Sequence, residues 1–165
     1  MKIPVNPVPL GLGLLVVAAG IAGMFYMQRG AHIELKGSIL KVRTQAMDEN
    51  SSVAVVDFRF VNPSNYPFVV KEVVVTMEDK DGKPLEGAVV SELDARRLFE
   101  YFPLLGQKYN DSLLMRDKIA GRQMMDKMIV ARFEVPEAAV ESRKKLTVRI
   151  VDVDGPVAEL QEGKR

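Results

Sequence analysis

The stretch from Val53 to Met77 admits few folds. Ala54, Val56, Phe58 and Phe60 alternate with Asp57 and Arg59. A period of two puts the first set on the core face of a strand and the second on its water face. Asn62-Pro63-Ser64-Asn65-Tyr66-Pro67 then combines residues that fix φ, bond their own backbone or tolerate the left-handed region, which makes a turn. Phe68 to Met77 follows, with Val69, Val73, Val75 and Met77 in one row and Phe68, Val70 and Val74 in the other. A strand apolar on both sides is central or covered on both faces.

The flanking chain extends this pattern. His32 to Arg43 alternates as Ile33 and Leu35, then changes phase to Leu40 and Val42 across Gly37-Ser38, the signature of a β-bulge. Asp79-Lys80-Asp81-Gly82 reads as a hairpin turn. An EF-hand would need acids where Met77 and Ala88 stand. Pro84 to Val90 is a short strand. From Ser91 the period changes: Ser91 can cap a helix, and Ala95, Leu98, Phe99 and Phe102 share one helical face until Pro103. A second helix is predicted over Asp111 to Ala120, closed by Gly121. Strands over Lys127–Val135 and Leu146–Asp154 complete the domain, the latter with a phase shift at Val151 and Val153. Glu159 to Arg165 is a polar tail. Roughly six or seven strands at hairpin spacing, with two adjacent helices, argue for an antiparallel sandwich over βαβ crossovers.

At the other end of the chain, Val8 to Met27 has no charged residue. As a helix it would cover about 30 Å, the hydrocarbon thickness of a bilayer. Tyr26 and Arg29 close it as interfacial anchors do. The competing reading, a cleaved signal peptide, would use the small residues Ala18, Gly20 and Ala22, but the apolar run continues through Met24, Phe25 and Met27. Ala18 and Ala22, and likewise Ala19 and Gly23, lie four apart, where small side chains let a second helix approach. Basic residues follow the span, yet most fall within a predicted strand, and large domains cross membranes largely regardless of charge. The positive-inside rule taken literally puts the domain in the cytoplasm; the extracytoplasmic side is the preferred reading of the two.

Several function classes drop out. Formal charge is +1, from 23 basic and 22 acidic residues, which offers no basic excess for nucleic acid. With no cysteine, disulfides, thiolate metal sites and thiol nucleophiles are excluded. The sole histidine, His32, has no second His or Cys with which to share a metal. No G-x-S-x-G, P-loop or dinucleotide fingerprint occurs, and the acids at 78–79 and 152/154 fall at strand ends. No catalytic, cofactor-binding or metal residue is assigned, and no small-molecule substrate is evident.

Phe58-x-Phe60-x-Asn62-Pro63, then Tyr66-Pro67-Phe68-x-Val70, Asp81-Gly82 and Phe133-x-Val135-Pro136, resemble the group 2 late embryogenesis abundant proteins. These carry the water-stress and hypersensitive-response domain. The resemblance covers about half of the part beyond the anchor and implies a seven-stranded immunoglobulin-like sandwich without catalytic residues. The helical segment departs from that pattern.

The reading is thus an all-β chain: an immunoglobulin-like antiparallel β-sandwich with a short helical insertion, preceded by a single N-terminal transmembrane helix. Its parts are a flank at 1–7, the membrane helix at 8–28, the sandwich at 31–157 with the insertion at 91–120, and the tail at 158–165. Ala18, Ala19, Ala22 and Gly23 are the candidate helix-packing residues. Phe99, Tyr101, Phe102, Leu104, Leu105 and Tyr109 are the candidate partner-binding residues, since insertions on rigid scaffolds carry binding functions. The expected partners are the lipid bilayer and other integral membrane subunits. The expected role is that of an accessory or scaffold subunit in an assembly such as a respiratory or photosynthetic complex, with a freestanding stress-protection or ligand-binding module as the alternative.

Overall fold

A computed structural model describes residues 13, 16–23 and 34–163. The chain divides into two compact units, Met1–His32 and Ile33–Arg165. The flank 1–7, most of the predicted membrane helix at 8–28, and His32 lie outside the described residues. Residues 16–23 are helical, and among the described residues no helix is long and apolar enough to cross a membrane.

The second unit is mostly β. Its strands are β1 (Lys36–Ala46), β2 (Ser52–Val61), β3 (Phe68–Glu78), β4 (Pro84–Val89), β5 (Lys118–Ile119), β6 (Met124–Phe133), β7 (Lys145–Asp152) and β8 (Val157–Gln161). Two short helices, α1 (Glu92–Tyr101) and α2 (Glu137–Glu141), and a 3-10 turn at Pro103–Leu105 interrupt them. All strand pairs are antiparallel, in the order β1-β2-β6-β4-β3-β7-β8, with the two-residue β5 beside the start of β3. Strand β4 pairs with β3 through Pro84–Gly87 and with β6 through Ala88 and Val89. The outer strands β1 and β8 approach each other without a ladder, so the sheet is nearly closed.

Alternation builds the core. Ala54, Val56, Phe58 and Phe60 of β2 meet Ile129, Ala131 and Phe133 of β6 and Leu146, Val148 and Ile150 of β7. Each such phenylalanine contributes roughly 1.5–3 kcal/mol through burial. The Asn-Pro turn supplies the polar counterpart. Asn62 is fully buried; its Nδ2 donates to the carbonyls of Tyr66 (2.7 Å) and Ile119 (3.2 Å), and its Oδ1 accepts from the Ser64 N–H and hydroxyl. One side chain thereby ties the β2–β3 turn to β5, and no buried polar atom of Asn62 is left unpaired.

The structure departs from the sequence reading at several points. The bulge in β1 falls between Ile39 and Lys41, leaving Leu40 exposed, because Gly37 is already committed to the β2 backbone. A Cβ on Gly37 would run into the Arg59 carbonyl oxygen. A second bulge at Lys71 shifts the phase of β3, so Phe68 and Val70 share the core with Val75 and Met77 while Val69 points elsewhere. No helix forms over Asp111–Ala120: Leu113 and Ile119 are buried in the core, the Leu113 N–H donates to the Met128 carbonyl, and Arg116 sits at φ 69°. In β7 no phase shift occurs, and Asp152 is buried, accepting from the Val69 and Asp154 N–H groups. Finally, residues 157–161 are a strand and not part of a tail, because Ala158 and Leu160 alternate into the core.

Candidate partner-binding surface

The insertion begins as its sequence prescribes. Ser91 caps α1, its Oγ accepting from the Asp94 N–H, and Ala95 and Leu98 face inward. What they pack against is the outer side of β2 and β6. Val53 and Val55 of β2 and Met128 and Val130 of β6 form a second apolar cluster with Ala95, Leu98 and Leu105, flanked by Val90, Phe99 and Phe102. The strand covered on both faces is therefore β2, whose sequence shows alternation, and Asp57 on that outer face is buried rather than in water.

Asp57 is buried because the insertion is fastened over it. Arg43 of β1 donates from Nη2 to the Asp57 Oδ2 at 2.8 Å, and from Nη1 to the carbonyls of Leu105 (2.6 Å) and Gln107 (2.8 Å). The same guanidinium lies 5.1 Å from the Phe99 ring centre and 5.5 Å from that of Tyr109, within cation–π range of both. The Asp57 Oδ1 accepts from Asn110 Nδ2 at 3.1 Å. One cation thus fixes the loop after α1 by main chain, side chain and ring contacts.

A second fastening lies at Glu92. Its carboxylate accepts from Arg96 (2.9 Å), the Ser112 N–H (3.3 Å) and Lys108 (3.0 Å). Burial alone would raise its pKa, but the bonds from Ser112, Lys108 and Arg96 outweigh it and bring the carboxyl down to about 2.

These contacts divide the predicted binding residues. Leu105 is 1 % exposed and belongs to the second cluster, and Phe99 and Phe102 are half-buried beside it. Tyr101 and Leu104 are 78 % and 92 % exposed, and Tyr109 is also exposed. Between α1 and the β1–β2 turn runs a largely apolar groove of about 290 Å³, lined by Met47, Val53, Val90, Leu98, Tyr101 and Phe102 together with the charged Asp94, Arg97 and Arg132. Ala18, Ala19, Ala22 and Gly23 all fall in helical residues 16–23 and are exposed.

Arg43, Asp57 and Asn110 are not among the residues that the sequence picks out as a site. A signal for the first two existed: a carboxylate inside the run Val53–Phe60, and an arginine two register positions away on the paired strand. A charged cavity of about 420 Å³ lies elsewhere, lined by Glu78, Glu141, Arg143, Lys144, Lys145 and Glu162 among others. Its most buried cation, Arg143, is held in a bidentate pair by Glu162 at 2.7 and 2.9 Å. Among the described residues, no group of three or more His, Cys, Asp or Glu side chains is placed to hold a metal.

No family model matches the chain, and no curated protein matches it. Among solved structures, the archaellum periplasmic stator protein FlaG from Sulfolobus acidocaldarius is similar at 12% identity. The likeness covers 77% of this chain and 98% of that one, at a TM-score of 0.34, a value at which two chains need not share a fold.

Proposed function

We propose that this chain is a non-catalytic, membrane-anchored β-sandwich protein that serves as an accessory or scaffold subunit of a larger membrane assembly, its domain on the extracytoplasmic side. The observation that carries this reading is the rigid display of Tyr101 and Leu104. Both are largely exposed on a segment whose base is fastened by Arg43 and Glu92. Large apolar side chains held in place lose little freedom on docking, the property of interface anchors.

Two further features support the reading. The antiparallel strand order β1-β2-β6-β4-β3-β7-β8 supports an immunoglobulin-like sandwich, a scaffold that commonly presents loops to partners. The uncharged stretch Val8–Met27 has the length of a single membrane span, and its small residues suit packing on other integral subunits. A second reading, a module related to the group 2 late embryogenesis abundant proteins that takes an apolar ligand, is favoured by the 290 Å³ groove beside α1.

Mild detergent extraction followed by size separation tests the proposal. The native chain should co-migrate with other polypeptides, and the pair Tyr101→Ser and Leu104→Ser should release it as a small folded particle. A lone particle for the native chain refutes the scaffold reading. Displacement of a groove-bound apolar dye by a lipid extract would then favour the second.

A further inference from the structure

Exposed apolar side chains also gather at the end of the sheet where β1 begins. Lys36 pairs with Val61 and Val61 with Met124, so the starts of β1 and β6 and the end of β2 share one row. Backbone bonds draw three loops to the same end: the Arg122 N–H donates to the Asn62 and Ser64 carbonyls, the Arg116 N–H to Val70, and the Val153 N–H to Val69. Tyr66, Met115, Met124 and Val153 are each more than half exposed there, beside the exposed Leu114.

Cations accompany them. Arg116, Lys118 and Arg122 are exposed within residues 114–124. The single acid of that segment, Asp117, is taken by Lys127 at 3.2 Å. Arg122 bonds the neutral Asn65. Lys36 and Lys71 add to this end, against the exposed acids Glu34, Glu72 and Asp154. Arg116 and Arg122 hold φ of 69° and 62°, a left-handed backbone that is unfavourable for a residue with a Cβ. Glycine or asparagine would form either turn more readily, so strain is kept where two arginines project.

The length of the tether says what covers this surface. Leu35 is buried and so fixed in the domain, while Met27 ends the uncharged stretch. Eight residue steps separate them, at most about 29 Å at full extension. If Val8–Met27 lies in a bilayer, this end stays within reach of the headgroups. We infer that it is a lipid-contact surface: Tyr66, Met115 and Met124 enter the interface, and Arg116, Lys118 and Arg122 meet anionic phosphates. The inference rests on the anchor reading proposed above.

The chain has no cysteine, so Met115→Cys, Met124→Cys and, as a control, Lys80→Cys each create one labelling site. Lys80 follows the far end of β3, whose other end carries Phe68. The full chain, labelled with an environment-sensitive dye, is mixed with vesicles of phosphatidylcholine, or of phosphatidylcholine with about a quarter phosphatidylglycerol, containing doxyl lipids. Expected are flotation on both, quenching at 115 and 124 several-fold above that at 80, and roughly two-fold weaker quenching when Arg116→Gln and Arg122→Gln are added. Flotation with equal quenching at all three sites overturns the surface and leaves the anchor standing. Flotation on the anionic vesicles alone, with quenching at 115 and 124, overturns the anchor and supports the surface. No flotation overturns both, and a blue-shifted but unquenched dye marks a protein contact and overturns the lipid assignment.

Discussion

Arg43 and Asp57 meet at 2.8 Å on the outer side of the β1–β2 hairpin, and both side chains are less than a tenth exposed. The pair sits between a sheet and an insertion that apolar packing alone would leave free to slide. Its geometry fixes the loop at Leu105 and Gln107, and through it the outward face of the insertion.

Removing one partner should be costly. Asp57→Ala leaves a buried guanidinium without its carboxylate, and a loss of about 3–5 kcal/mol is expected in urea unfolding. Arg43→Met combined with Asp57→Leu should cost less than the sum of the two single changes. Additive losses would show that the ion pair does not couple the insertion to the sheet.

Glu92 gives the insertion a defined acid response. Its folded pKa of about 2 lies below the ordinary 4.5, so between those values the unfolded chain binds more protons than the folded one. The stabilisation is complete above about pH 4.5 and is lost as pH falls toward 2. Glu92→Gln should cost about 1–3 kcal/mol at pH 6, reduced by partial solvent contact, and almost nothing near pH 2. Unfolding curves at the two pH values check it; an equal cost at both would contradict the charge-based account.

Two glycines should fail differently. In Gly37→Ala the added carbon meets the Arg59 carbonyl and the Phe60 Cα, backbone atoms that cannot swing aside, so a loss at or above the upper end of about 1–3 kcal/mol is expected. Gly106 faces open space but holds φ 75° and ψ −154°, a region essentially reserved for glycine, and Gly106→Ala should cost about 1–3 kcal/mol through strain alone. Amide exchange separates them: the first change should loosen β1, the second only the loop after the 3-10 turn.

Tyr101→Ser with Leu104→Ser should leave the melting behaviour of the isolated chain within about 0.5 kcal/mol of native. Leu105→Ser removes a buried anchor and should cost about 2–5 kcal/mol. If the two sets destabilise alike, Tyr101 and Leu104 serve the fold and not a contact.

Elements with a strong period or a named cap were legible from residue types. β2, the β3–β4 hairpin, α1 with its Ser91 cap and the stop at Pro103 all stand where local chemistry puts them. The segment 111–120 was not, because Leu113, Leu114 and Ile119 fit a short helix as well as an extended run, and only the core site waiting for Leu113 and Ile119 decides between them. β8 escapes for a related reason: two inward residues among charged neighbours give too brief a pattern. Within the segment proposed for partner contact, the division into Leu105 inside and Leu104 outside depends on a turn of three residues. The clamp beneath it depends on contacts 62 and 64 positions apart in the chain, a range that local periodicity does not reach.

Strand β4 gives its first four residues to β3 and its last two to β6. It joins the β1-β2-β6 ladder to the β3-β7-β8 ladder, so the two cannot slide past each other without tearing main-chain bonds as well as side-chain contacts. Drawing the two ladders along one another would therefore break several hydrogen bonds together in shear rather than one at a time.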